Sequence, residues 1–115
     1  MLIIKPAPGN DGAETKALNA YIDDRPCGYV RFRLRGYIMV ITELAPLMGD
    51  PMGGSDDGEL YPLLDSIIRA LGSYGLNHSC YYAECAEPAL YPTLSKLRFS
   101  MSDGMMKSNL SLMLE

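Results

Sequence analysis

Gly58–Phe99, GELYPLLDSIIRALGSYGLNHSCYYAECAEPALYPTLSKLRF, is the stretch whose reading decides the fold. Its first half places Leu60, Leu63, Leu64, Ile67, Ile68 and Leu71 at i, i+3, i+4, i+7, i+8 and i+11, one apolar stripe along an amphipathic helix. Pro62 belongs in the first turn, where its missing N–H is harmless, so the helix is expected to begin within Gly58–Leu60. Gly72 weakens the last turn, and Gly75 reads as a left-handed stop. Ser79–Cys85 then reads as a short strand. Glu87-Pro88 opens a second helix with proline at its first position, and Pro92 restarts it, leaving Thr93–Leu97 as the regular part.

Upstream, the chain reads as sheet. Leu2-Ile3-Ile4 is a β-rich run ended by Pro6 and Pro8, and Ala17–Ile22 forms a second strand. After the turn Asp23-Asp24-Arg25-Pro26, Val30, Phe32 and Leu34 alternate with Tyr29, Arg31, Arg33 and Arg35, the period of a half-buried strand. Gly36 turns the chain into Tyr37–Leu44, an almost unbroken apolar run expected to be a central strand covered on both faces. Ala45–Asp57 carries prolines and glycines without apolar periodicity and is a loop. Downstream, Phe99–Met101, the turn Ser102-Asp103-Gly104 and Met105–Leu114 read as a hairpin with Leu110, Leu112 and Leu114 on one face. The order β, β-β-β, α, β, α, β-β describes one mixed α/β domain over residues 1–115.

Composition narrows the function classes. A net charge of −4, from 10 basic and 14 acidic residues, argues against a nucleic-acid binder that works through phosphate contacts. No apolar run approaches the ~20 residues a membrane span needs. Lys5-Pro6 follows Met1–Ile4 at once and leaves no room for a signal-peptide core, so a cytoplasmic protein is expected. Three cysteines without a CxxC spacing and one histidine would make an unusual zinc ligand set, so no metal is expected and the thiols read as reduced and structural.

With these details the element order resembles the GCN5-related N-acetyltransferase (GNAT) family. Its members have an N-terminal strand, a three-strand meander, a loop and helix that hold the pyrophosphate of acetyl-CoA, then a strand, a helix ending in a Tyr-x-Lys-Leu-Gly-Phe-like motif, and a closing hairpin. Leu2–Pro6 looks like the first strand, Gly28–Leu44 the meander, Gly58–Gly75 the cofactor helix and Ser95-Lys96-Leu97-Arg98-Phe99 the terminal motif. The resemblance implies a mostly antiparallel central sheet flanked by two main helices. The helices that the family carries after its first strand are shortened or missing, since only Ala7–Lys16 is available.

The resemblance also assigns a site. Glu43-Leu44-Ala45-Pro46 is the strand exit, with Leu44 and Ala45 against the cofactor. Alignment on Leu63-Leu64 puts Ser55 at the loop's basic position and Gly58 at its first glycine, with Gly53 and Gly54 serving if the loop shifts. Asp56 and Asp57 fall where the phosphates should come and would oppose them. Glu43 is the candidate general base, against the plainer reading of a solvated or Arg-paired strand-end residue. Leu94 occupies the place of the family's acid tyrosine, so Tyr91, three residues earlier, is the candidate acid; its plainer role is ring packing. Arg98 replaces the motif glycine, and Glu87 stands at the helix start. His78 reads as a surface loop residue. Arg31, Arg33 and Arg35 form a basic stripe, either gripping an acidic group or solvated and paired with Asp23, Asp24 or Glu84. Met101, Met105, Met106 and Met113 suggest an apolar surface for a homodimer. The functional expectation is acetylation of a small-molecule or protein amine with acetyl-CoA as co-substrate. The alternative is a catalytically inactive binding or dimerisation module of the same fold.

Overall fold

The computed structural model describes residues 2–9, 14–46 and 57–113. One sheet holds β1 (Leu2–Pro6), β2 (Lys16–Ile22), β3 (Arg25–Arg35), β4 (Ile38–Pro46), β5 (Tyr82–Cys85), β6 (Ser100–Ser102) and β7 (Met105–Asn109). The seven strands lie in the order β1-β2-β3-β4-β5-β7-β6. Every neighbouring pair is antiparallel except β4 with β5. Among the described residues three α-helices complete it: α1 (Asp57–Asn77), α2 (Tyr91–Leu94), which a 3-10 turn over Pro88–Leu90 precedes, and α3 (Leu110–Met113). The architecture expected from the element order is present.

The turns use the backbone conformations that tight connections demand. Asp23 and Asp24 both take positive φ between β2 and β3, as do Asp103 and Gly104 between β6 and β7. Gly36 does so between β3 and β4.

α1 packs on one face of the sheet. Phe32 meets Tyr74 edge to face at 5.3 Å between ring centroids. Ile67, Ile68 and Leu71 join Val30, Met39, Ile41, Ala83 and Cys85 in a single buried core. The opposite face is open among the described residues, where Arg31, Arg33, Arg35 and Tyr82 are all exposed. β4 is therefore covered on one face only: Met39, Ile41 and Leu44 are buried, while Val40, Thr42 and Glu43 are half-buried.

Gly75 is not the end of α1, which continues to Asn77. A β-carbon at Gly75 would collide with Met39 Sδ and lie 2.7 Å from Leu110 Cδ1, so this glycine permits close approach of the helix to the sheet. The left-handed residue follows at Ser79, and His78 closes the helix by donating from Nδ1 to the Tyr74 carbonyl (2.8 Å) with its ring stacked on Tyr74. The second helix is shorter than Thr93–Leu97 implies. Pro92 restarts it as expected, but the α-turn is Tyr91–Leu94 and residues beyond Ser95 form turns. β7 stops at Asn109 because Asn109 Oδ1 accepts from Ser111 N (3.0 Å) and Oγ (2.7 Å), capping α3. Leu110 is thereby turned into the core against α1. In the hairpin, Met101 is exposed, Met105 half-buried and Met106 buried.

No described helix is long and apolar enough to cross a membrane. Gly75→Ala gains about 1 kcal/mol in helix propensity but overpacks a filled contact at a cost of about 1–3 kcal/mol. Thermal unfolding of this variant should show a lower midpoint; a midpoint equal to or above wild type would mean that Met39 and Leu110 yield freely.

Candidate functional site

The parallel pairing of β4 with β5 covers only Ile38–Ile41 against Tyr82–Cys85. Beyond it β4 runs on to Pro46, still paired to β3 through Leu44↔Val30, Ala45↔Tyr29 and Pro46↔Gly28. Among the described residues, Thr42–Pro46 thus present a strand edge with no ladder partner on the β5 side. In sheets with parallel strands, ligands bind past the carboxyl ends where neighbouring strands part.

A β-bulge sits at the parting. Arg31 pairs with Glu43 and Phe32 with Ile41, leaving Thr42 as the extra residue, whose Oγ1 donates to the Arg31 carbonyl (3.2 Å). In a regular strand Glu43 would share the face of Met39 and Ile41 and point into the core. The extra residue shifts the alternation by one, so Leu44 is buried and Glu43 stands on the open face.

There Glu43 is held by two neighbours from β3. The Tyr29 hydroxyl donates to Glu43 Oε2, and Arg31 Nη1 lies 3.5 Å from Glu43 Oε1. The Arg31 guanidinium also sits over the Tyr29 ring, 5.1 Å from its centroid. The Glu43 side chain keeps 46% of its surface accessible, so it can still meet a ligand. The hydrogen bond to Glu43 raises the Tyr29 phenol above its ordinary range; burial and the carboxylate's charge add to this, and Arg31 opposes it. Tyr29 is the site residue that the sequence reading missed. Its signal was the cross-strand register, which places residues 29 and 31 beside 43 only once the bulge is known.

Of the other expected site residues, Leu44 and Ala45 lie on the free edge, and Gly58 lies in the first turn of α1. Leu63 and Ile67 of α1 pack over Gly28 and the Ala45 carbonyl, which sets the helix's N-terminal half over the exit of β4. Gly53, Gly54, Ser55 and Asp56 lie outside the described residues. Asp57 begins α1.

Tyr91 begins α2, packs against the core and donates its hydroxyl to the Gly104 carbonyl (3.3 Å), in the turn between β6 and β7. Its hydroxyl is not the one at Glu43; that one belongs to Tyr29. Leu94 is fully buried. Arg98 has φ 75°, the left-handed conformation that favours the glycine it replaces, and ion-pairs with Asp65 of α1. Glu87 takes the N-cap position of the 3-10 turn without a side-chain capping bond.

Among the described residues no cluster of three or more His, Cys, Asp or Glu side chains could hold a metal. Cys27, Cys80 and Cys85 are free and buried, and burial pushes all three thiols up; a backbone hydrogen bond at Glu87 partly offsets this for Cys85.

No family model and no curated protein matches this sequence. Solved structures do. The ribosomal-protein-S18-alanine N-acetyltransferase of Escherichia coli superposes with a TM-score of 0.66 at 10% identity, over 96% of this chain and 94% of that one. A GNAT family acetyltransferase of Elizabethkingia anophelis, with acetyl-CoA bound, gives 0.66 at 8% identity, over 94% and 97%. Tetrahymena GCN5 gives 0.63 at 9% identity, over 84% and 69%. These likenesses establish that the chain has the GNAT fold.

Two measurements check the electrostatics. A phenol whose pKa is raised by folding stabilises the fold fully below the unfolded value of 10.0, and the contribution is lost as pH rises through the folded value. The unfolding midpoints of wild-type and Tyr29→Phe proteins should therefore converge as pH climbs above that range; a constant difference would show that the Glu43 bond does not hold the proton. The three thiols should resist alkylation in the folded protein and react together on unfolding. Rapid labelling of one of them under native conditions would contradict its burial.

Proposed function

We propose that this chain is an acetyl-CoA-dependent N-acetyltransferase acting on an amine acceptor. The observation that carries the reading is Glu43, turned out of the core by the extra residue Thr42 at the point where β4 leaves β5. The GNAT fold and the acetyl-CoA bound in the Elizabethkingia structure support it.

The residues present suit that co-substrate. The edge of Leu44 and Ala45 away from β3, without a ladder partner among the described residues, offers hydrogen bonds to an extended amide-bearing chain, as a strand edge does to a peptide. The N-terminus of α1, with Gly58 in its first turn, favours a pyrophosphate through free N–H groups and the helix dipole. Gly53, Gly54 and Ser55 would complete the loop before it. Acetyl-CoA supplies the acetyl group as an activated thioester.

Glu43 takes the proton from the acceptor ammonium and leaves the nitrogen lone pair free to attack the thioester carbon. The C–N bond forms and the C–S bond breaks, the nitrogen gives up its second proton to solvent, and the departing thiolate collects a proton. Arg31 and Tyr29 hold the carboxylate in place while it does this. Tyr91 is the proposed donor to the thiolate, and delivering that proton requires its hydroxyl to release the Gly104 carbonyl.

A second reading, a non-enzymatic binding or dimerising module, draws support from the fully buried Leu94 and from Asp57 at the head of α1. Acetyl-CoA separates the two. A ligand at a hundred times its Kd stabilises the fold by about 2.7 kcal/mol, so millimolar acetyl-CoA should raise the melting temperature by several degrees. No shift would leave the non-enzymatic reading. If the shift is present, Glu43→Gln should lower kcat/KM by roughly 10²–10⁴ with acetyl-CoA affinity kept, and Tyr91→Phe should lower kcat.

A further inference from the structure

The open sheet face that carries Glu43 also carries a graded row of cations. Arg31, Arg33 and Arg35 alternate along β3 and all three are exposed. Two of them are engaged. Arg31 pairs with Glu43 at 3.5 Å, and Arg35 with Glu84 at 2.9 Å, the latter carboxylate shared with Lys107 at 3.8 Å. The side chain of Arg33, between them, has no ion pair or hydrogen bond among the described residues. Its cross-strand neighbour is Val40, an uncharged, half-buried floor beside it. A cleft of about 450 Å³ opens at this point, lined among the described residues by Glu14, Lys16, Arg33, Leu34, Arg35 and Val40, and of these cations outnumber acids three to one in a chain whose net charge is −4.

Resting on the acetyltransferase reading, we infer that the acceptor is an amine that also bears a carboxylate, the amine at Glu43 and the carboxylate on Arg33 over Val40. Arg33 is two residues along β3 from Arg31, the direct partner of Glu43, a backbone separation of about 7 Å along the strand that the two ends of the ligand would span. That separation fits an extended ω-amino acid and is too long for an α-amino acid, whose two groups share one carbon. An unpaired guanidinium offers a planar fork that matches a carboxylate with two parallel N–H donors. Arg31 and Arg35 are paired with carboxylates of the fold, so among the described residues of this row Arg33 offers the free fork. Glu43 at the other end repels an anion and attracts an ammonium group, so the two ends orient the ligand in one direction.

The test compares ε-aminocaproate with ε-aminocaproamide, which differ only in the charge of the distal group, on wild-type and Arg33→Ala proteins. Binding is followed by NMR chemical shifts, with and without acetyl-CoA, and acetylation rates are measured in parallel. The acid should bind roughly tenfold more tightly than the amide, shift Val40 and Arg33 resonances, and lose its advantage in Arg33→Ala and at high salt. Equal affinity for acid and amide, or a preference that survives Arg33→Ala, overturns the inference. Titration with acetyl-CoA alone keeps the two ideas apart. If acetyl-CoA binds and amines are acetylated without regard to their charge, only the acceptor assignment falls. If acetyl-CoA does not bind, the acetyltransferase reading falls, and the NMR comparison still decides whether Arg33 selects an aminocarboxylate.

Discussion

A parallel ladder only four residues long, Ile38–Ile41 on Tyr82–Cys85, constrains the rest of the molecule. Parallel neighbours cannot be joined by a tight turn, so the chain must leave the sheet and cross over it before β5 can form. α1 is that crossing, and its apolar stripe supplies one wall of the core. The other strand neighbours are antiparallel, and most of them follow one another through short turns. Because the ladder stops at Ile41 and Cys85 while β4 continues along β3, the fold creates at a fixed place an edge unpaired among the described residues. The opening is a consequence of topology and does not depend on any one side chain.

What makes that place chemical is the phase of β4. Thr42 displaces the alternation so that a carboxylate, not an apolar residue, faces the open side. The Tyr29–Glu43–Arg31 set that results adds little to the stability of the fold. Arg31 and Glu43 are both about half exposed, and an ion pair of that kind is worth about 0–1 kcal/mol. Its effect is to fix which way a partly solvated carboxylate points, with a phenol on one oxygen and a guanidinium near the other.

The fold was legible where period and punctuation agree. The stripe from Leu63 to Leu71, the alternation along β3 and the Asp-Gly turn before Met105 each have one physical reading, and each was found where expected. The second helix was overestimated because Pro92 and the left-handed Arg98 confine regular structure to a single turn. Gly75 was misread because a glycine needed for close approach looks the same in sequence as one that ends a helix; only the positions of Met39 and Leu110 distinguish them. Asn109 could have signalled the end of β7, since asparagine before a short apolar run is a capping residue. At the site, Glu43 was accessible to sequence reasoning as a strand-end acid. Tyr29 was not, because its partnership depends on a register change that a run such as Val-Ile-Thr-Glu-Leu does not reveal.

The contact of Gly75 with Met39 and Leu110 has a consequence at the far end of α1. From Asp57 to Gly75 the helix spans roughly 27 Å, and a rigid rod pinned near one end acts as a lever. Its other end is the N-terminal half, where Leu63 and Ile67 stand over the exit of β4. Any residue change that lifts the pinned end off the sheet therefore tilts the opposite end by a larger displacement, and a defect at the base of the core is transmitted as misalignment where β4 parts from β5. Sensitivity to substitution should accordingly follow the axis of this helix and not distance from Glu43 alone.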